Sequence, residues 1–273
     1  MSFNSREFSL ASGRPVRLYQ FSRGVLHWSY NSSDRDVAHQ NQIFRALRGG
    51  ISDDGIRQGG GDNVRNLRIL APADLEVAQF YRGIPPSDAI DLVIYDRHVG
   101  EEEFRVSWVG EIQSVAWPAV DRCQIVCNPE TVSMGQQGLR LCWERPCPHA
   151  LYEHNCRANR DDFRVDGTIT SMDGAMIHSA AFATKPAGWF SAGYLEWSLG
   201  ANVWERRAIE GNLGTGLLVF GGTSGLELDM QVRAYAGCDQ LLQTCSDKFH
   251  NHLNYGGIFH LPRRSPFDGN PIF

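Results

Sequence analysis

The sequence predicts a mainly β protein: two β-barrel-like domains in series, with a cysteine-bearing connector and short helices. Three observations predict it. Short apolar–polar alternations recur along the chain with the period of two that a half-buried strand shows. Clusters of Gly, Asn, Asp and Ser separate them, as turns require. One irregular stretch, residues 128–162, breaks the pattern and concentrates Cys, His, Pro and Arg. The division expected from this is a β-rich domain over 1–135 and a second over 136–273.

The elements follow in order. Val16 to Phe21 alternates, and after the turn at Arg23-Gly24 the residues Leu26, Trp28 and Tyr30 share one face. Asn66 to Ala71 alternates again. ADLEVAQFYRG (73–83) is the one helix expected in this half. Ile90, Leu92 and Ile94 face one way in IDLVIYD, as do Phe104, Val106 and Trp108 in FRVSW, with GEIQSVAW close behind. CQIVC (123–127) is the last strand before the irregular stretch. Beyond it come FRVDGTIT, AMIHSAAFA, GYLEWS and VWERRAI. LELDMQVRAYAG (226–237) has the cleanest alternation, with Leu226, Leu228, Met230, Val232, Ala234 and Ala236 on one face. DQLLQTCSDKF (239–249) is read as a short helix.

Composition excludes several classes of function. The chain has 273 residues, 42% hydrophobic and 21% charged, which suits a globular protein and not a mostly disordered one. Lys and Arg number 26 against 31 Asp and Glu, a net charge of −5, so no general basic field points to specific nucleic-acid binding. No apolar run approaches the roughly 20 residues of a membrane helix. MSFNSREFSLASGRPVR contains no apolar core of a secretory signal.

The seven cysteines bound the chemistry: Cys123, Cys127, Cys142, Cys147, Cys156, Cys238 and Cys245. An odd number without an export signal argues against a disulfide framework. Cys123 and Cys127 fall at i and i+4 of a strand, share a face, and suit core packing. The four late cysteines form the sharper signal, as C-x8-C (147, 156) and C-x6-C (238, 245) with residues 157–237 between the pairs. Neither spacing is that of a zinc ribbon or a bacterial ferredoxin. Both zinc and iron–sulfur clusters accept four thiolates, and spacing alone does not choose between them. His149 and His154 flank the first pair as further candidate ligands, and His250, His252 and His260 lie near the tail.

The common enzyme signatures are missing. There is no Walker loop, GxSxG elbow, HExxH or zinc-deaminase pair. GNLGTG (211–216) precedes a strand-like run and reads as a hairpin turn, since a phosphate loop should open a helix. GGG (59–61) reads as a loop. Glu101-Glu102-Glu103 and Asp161-Asp162 read as solvated turns. A Cys/His peptidase would need one activated thiol and a distant base, and no cysteine here is singled out in that way.

PCPHALYEHNC (146–156), followed by GCDQLLQTCSDKFHNHLNYGGIFHLP (237–262), resembles the phage tail-hub iron–sulfur family. These are tail-tip proteins of lambda-like siphophages, transposable phages and gene transfer agents. Cys147, Pro148, His149, Leu151 and Cys156 match the first part of the family pattern, and Cys238, Asp239 and Cys245 the second. Phe249, Asn251, Asn254, Gly256 and Gly257 match the third; Pro262 and SPFDGNP match the end.

The resemblance implies a non-enzymatic virion component, made in the bacterial host cytoplasm and placed at the tail tip. It implies a homotrimeric hub ring joining the tail tube and distal tail protein to a central fibre or baseplate hub protein. Cys147, Cys156, Cys238 and Cys245 would hold a [4Fe–4S] cluster as a structural staple, with zinc as the alternative occupant. Cys142 lies near enough to compete with Cys147. The alternatives of another class are a tail-associated Cys/His peptidase, a redox iron–sulfur enzyme and a zinc-stapled β protein. NYGGIFHLPRRSPF has few apolar anchors of its own and is expected to be ordered over the cluster or against a neighbouring subunit.

Overall fold

The computed structural model describes residues 6–9, 13–39, 41–56, 66–100, 103–134, 138 and 143–261. Strand accounts for 43% and helix for 11%, a mainly β structure with a half-barrel sheet and few short helices. The chain divides into two compact units, Met1–Gln136 with Leu199–Glu205, and Gln137–Ser198 with Arg206–Phe273. GGG (59–61), Glu101, Glu102, Cys142, Pro262 and SPFDGNP fall outside the described residues.

The first unit is built on strands β1 (Pro15–Arg23), β2 (Leu26–Asn31), β3 (Val37–His39), β4 (Gln42–Ala46), β5 (Ser52–Asp53) and β6 (Leu67–Pro72), then β7 (Asp91–His98), β8 (Arg105–Ala119) and β9 (Arg122–Pro129). Among the described residues they form one nine-stranded sheet in the order β3-β4-β2-β1-β7-β8-β9-β6-β5. Alternation dictates the core. Leu67, Ile69 and Ala71 of β6 are buried, as are Ile90, Leu92 and Ile94 at β7 and Cys123, Ile125 and Cys127 of β9. Cys123 stands opposite Ala71 and Cys127 opposite Leu67. Both thiols are fully buried in this core, and burial pushes the Cys127 thiol well above its ordinary value.

Two expectations are corrected here. FRVSW and GEIQSVAW run together as the single 15-residue strand β8. The register shifts between Ile94 and Tyr95, so that Ser107 is an extra residue opposite β7, its hydroxyl donating to the Ile94 carbonyl at 3.2 Å. One extra residue reverses the face of those on one side of it, and Val106 is 58% exposed. The expected helix over 73–83 shrinks to the single turn Glu76–Gln79. No side chain caps its start, and its register buries only Val77 and Ala78.

β5 carries a buried charge. The Asp53 carboxylate, 2% exposed, pairs with Arg17 and accepts from the Tyr19 hydroxyl at 2.6 Å. Burial alone would raise its pKa, but the Arg17 and Tyr19 bonds together hold it below the ordinary aspartate range. A carboxylate depressed in the folded state stabilises above its unfolded pKa and loses that contribution as pH falls through its folded value. We expect stability of the first unit to decline on acidification below about pH 4. Asp53→Asn should flatten that decline and cost about 3 kcal/mol at neutral pH, the low end for a broken buried pair because Arg17 is itself 31% exposed. Denaturant melts of both proteins at pH 7 and pH 3.5 measure this, and identical pH profiles would refute it.

The second unit is built on β10 (Arg164–Thr168), β11 (Ser171–Asp173), β12 (Met176–His178), β13 (Tyr194–Gly200), β14 (Val203–Leu213), β15 (Gly216–Val219) and β16 (Gln231–Tyr235), the end of β13 and the start of β14 over Leu199–Glu205 belonging to the first. Their sheet has the order β10-β16-β13-β14-β15-β12-β11. GNLGTG is a hairpin turn: Leu213 pairs with Gly216, and Gly214 takes the left-handed φ of +55° that closes it. The long alternation over 226–237 gives a strand only from Gln231. Asp229 has φ +63°, which stops an extended backbone, and Leu228 is 58% exposed. The rest of that face behaves as read, with Val232, Ala234 and Ala236 buried, and Tyr235 on the other face is buried as well; β16 delivers its end to Gly237 and Cys238.

Candidate functional site

The end of β16 is where backbone meets backbone. A Cβ on Gly237 would collide with the Ser191 carbonyl oxygen and the Gly193 nitrogen; one on Gly193 would collide with the Tyr235 carbonyl. Only glycine allows that approach, which fixes where the next residue, Cys238, begins. The Lys248 ammonium donates to the Gly237 and Trp189 carbonyls, each at 2.6 Å, and so ties this corner to the segment that follows.

After Cys238 the chain turns sharply. Asp239 accepts from the Leu241 N–H at 3.0 Å and the Thr244 hydroxyl at 2.9 Å, while Gln240 takes φ +63°. That arrangement starts the short helix Leu242–Asp247, which carries Cys245. The helix is three residues shorter at its start and two at its end than a uniform reading of 239–249 suggests, because the Asp239 turn occupies its start and His250, at φ +51°, reverses the chain beyond it.

The earlier cysteines are held by the same element. The Cys147 N–H donates to the Gln240 carbonyl at 2.9 Å. Asn251 is the second tie. Its own N–H donates to the Cys245 carbonyl at 2.9 Å, and its side-chain amide donates to the Cys156 carbonyl at 2.5 Å. Its side-chain oxygen accepts from Asn254 at 2.6 Å. Tyr152, at φ +67°, drops its ring among Phe163, Tyr194, Tyr235 and Phe249, with its hydroxyl on the Ala236 carbonyl at 2.7 Å. This aromatic floor anchors the segment between Cys147 and Cys156.

The closing strap is residues 254–258. Tyr255 donates to the Arg145 carbonyl at 2.8 Å, and the Ile258 N–H to the Glu144 carbonyl at 2.8 Å. A Cβ on Gly256 would strike the His149 ring, and one on Gly257 would strike the Arg145 and Pro146 backbone. The two glycines therefore let the strap lie directly on PCPH.

These elements bring Cys147, Cys156, Cys238 and Cys245 to the wall of one cavity of ≈180 Å³, shared with His149, Asn251 and Tyr255 among others. All four thiols are free, with Cys245 buried and the others half-buried. Burial pushes Cys245 up to about 11, and the charges Cys238, Cys147 and Cys156 would carry push it further the same way. Burial also raises Cys238, against which the Gln240 N–H acts. Three sulfurs accept N–H donors: Cys238 from Gln240 at 3.3 Å, Cys147 from Gly256 at 3.4 Å and Cys156 from the Asn251 amide at 3.7 Å. Donors of this kind favour sulfur that carries negative charge.

The donor set fits a sulfur-ligated metal centre, whether one ion or a cluster. Metal coordination deprotonates a thiol outright, and four thiols at one cavity suit it. Among the described residues no group of three His, Cys, Asp or Glu converges tightly enough to hold a single ion. The cavity has more than ten times the roughly 15 Å³ that one water needs. Of the candidate histidines, His149 alone lines the cavity; His154, His250, His252 and His260 are exposed.

Residues 188–265 match the family model described as "Phage conserved hypothetical protein BR0599". The matched span holds Cys238, Cys245, Asn251 and the Gly256-Gly257 pair; Cys147 and Cys156 precede it. The chain is also 28% identical over 188 residues to an uncharacterized protein of Xylella fastidiosa (strain 9a5c), covering 63% of this chain and 38% of that one. It thus spans well under half the length of that relative. In fold the whole chain superposes on a chain of a solved structure described as the virion of a native gene transfer agent (GTA) particle. The TM-score is 0.76 and the identity 18%, over 100% of this chain and 99% of the other. At that identity the likeness is one of architecture. Among the described residues no helix is long and apolar enough to cross a membrane.

Sequence reading missed the residues that position the thiols. Gln240 and Tyr152 carry no warning in their residue type, since both are ordinary side chains held at positive φ. Asn251, Asn254 and the two glycines stood in the motif as matched letters without a physical role. The adjacent glycines were the available signal, because glycine is the residue that lets a backbone approach closely.

Proposed function

We propose that this chain is a structural, non-enzymatic component of a phage tail tip. In this reading three copies close a hub ring between the tail tube with its distal tail protein and a central fibre or baseplate hub protein. A [4Fe–4S] cluster on Cys147, Cys156, Cys238 and Cys245 staples the second unit. The observation that carries the tail assignment is the end-to-end likeness of fold to a chain of a virion, joined by the phage family match over the second half of the motif. Four thiols on one cavity wall support the cluster. The cluster would supply cationic iron that collects four thiolates, adding its binding free energy to folding.

The test is direct. The chain purified without oxygen is expected to be brown, with broad visible absorbance and iron and acid-labile sulfide in equal amounts. Zinc in place of iron would overturn the cluster. Purified particles should contain the protein as a threefold ring, since head-to-tail interfaces close that way. Absence from particles would overturn the tail-tip reading.

A further inference from the structure

The sheet of the second unit turns a cluster of arginines outward. Arg160, Arg164, Arg206 and Arg233 have side chains 32–46% exposed, and they surround Glu196, whose side chain is 2% exposed. Register builds the cluster. Arg233 stands opposite Asp166 on β10 and Glu196 on β13, and Tyr235 stands opposite Arg164 and Tyr194. Arg206 reaches the Glu196 carboxylate at 3.2 Å, Arg233 at 3.6 Å and Arg160 at 3.8 Å, while the Tyr235 hydroxyl donates to it at 3.2 Å. Arg164 pairs with Asp161 and Asp166. In these ion pairs four guanidinium groups share three carboxylates. Each guanidinium carries a fork of N–H donors, more than its share of those carboxylates accepts. The exposed side of the face therefore favours further carboxylate. Beside it lie the stacked Tyr194 and Tyr235 rings, and arginine with tyrosine is the composition of an interface core.

The sheet of the first unit carries the complement. Asp91 on β7 and Glu111 on β8 stand directly opposite one another, and both are exposed. No ion pair offsets either of them among the described residues. Like charges so placed repel, and the pair costs the lone chain stability. Two residues along on the same face, Val93 stands opposite Val109, which is 42% exposed. A cation brought onto Asp91 and Glu111 replaces their repulsion with attraction, and the valines beside them give apolar area to bury. We infer that the arginine face of one copy docks on the Asp91–Glu111 face of a second copy of this chain. The inference rests on the ring proposed above and names the two surfaces that close it. A two-fold contact would set arginine against arginine, whereas a head-to-tail contact joins the unlike faces.

The test follows the full chain by sedimentation over a range of protein and salt concentrations. Wild type is expected to associate reversibly, and less as salt screens the contact. A chain that stays monomeric throughout would overturn the inference, while a threefold ring in purified particles would still uphold the ring itself. Asp91→Asn with Glu111→Gln relieves the repulsion, so this variant is expected to melt above the wild type and yet to associate about tenfold more weakly. Arg160→Gln with Arg164→Gln is expected to weaken association about as much. All four substitutions together should weaken it little more than either pair alone, because each pair removes the other's partner. Association unchanged in the Asp91→Asn, Glu111→Gln protein, or losses that add in full, would overturn the pairing of these faces.

Discussion

Cys245→Ser is expected to strip iron and sulfide from the purified chain and to unfold the region around the cavity. Cys245 is the buried member of the four, on a helix whose exit is tied by Asn251 to Cys156. A structural metal site contributes about 10 kcal/mol or more to folding, comparable with the whole stability of an ordinary domain, about 5–15 kcal/mol. The segments around the cavity have few strands of their own, since residues 143–159 are turns and irregular backbone. Without the staple they retain Tyr152 on its aromatic floor and a few hydrogen bonds, such as Cys147 on Gln240 and Tyr255 on Arg145. Hydrogen exchange should therefore rise sharply over 144–156 and 238–258. The sheet core around Leu195, Trp197 and Val232 should stay protected. Cys127→Ser is the control. It buries a hydroxyl in the first unit's core, at a cost of about 1–3 kcal/mol, and should leave the iron content unchanged. A fully loaded Cys245→Ser protein, or one with wild-type exchange over those segments, would sink the assignment.

Much of the fold was legible because strand alternation is a local signal. β6, β7 and β9 fall where the period of two places them, with Ile69, Leu92 and Ile125 fully buried as read. Reading failed where one residue changed the geometry without changing the pattern. Ser107 adds a bulge to β8, and Asp229 breaks the approach to β16 by adopting a left-handed backbone. The serine gives no side-chain signature of its bulge, whereas Asp229 is of a type depleted in strands and enriched in left-handed backbone, a signal that the apolar alternation around it outweighed. The site divides the same way. The cysteines announce themselves by residue type, and the structure places the four late ones together and Cys123 and Cys127 apart from them, in the core of the first unit. The groups that hold them are backbone carbonyls and N–H donors at Gln240, Gly256 and Ala236. Every residue carries such groups, so only the folded path shows which ones matter.

Gly257→Ala should destabilise the second unit more than Gly256→Ala, although the two residues are neighbours in one motif. At Gly256 an added methyl meets the His149 ring, a side chain that can yield by rotating or shifting slightly. At Gly257 it meets the Arg145 carbonyl and the Pro146 carbonyl group, which are main chain. Backbone yields only if the strap or the PCPH segment moves as a whole. The strap is pinned by Tyr255 on Arg145 and Ile258 on Glu144, and PCPH by Cys147 on Gln240. Either movement breaks at least one of these bonds, and lifting the strap also withdraws the Gly256 N–H from the Cys147 sulfur. Overpacking at the upper end of its usual range, about 3 kcal/mol, is the expected cost. For a unit of this size that lowers the melting temperature by about 10 °C. Gly256→Ala should cost about 1 kcal/mol, with its larger effect on the site: the displaced imidazole no longer faces the cavity as before. Melting curves of the two variants, and the rate at which each loses visible colour in air, separate the effects. Gly257→Ala should melt lowest and bleach fastest. Equal melting of both variants with the wild type would show that the strap does not bear on PCPH as described.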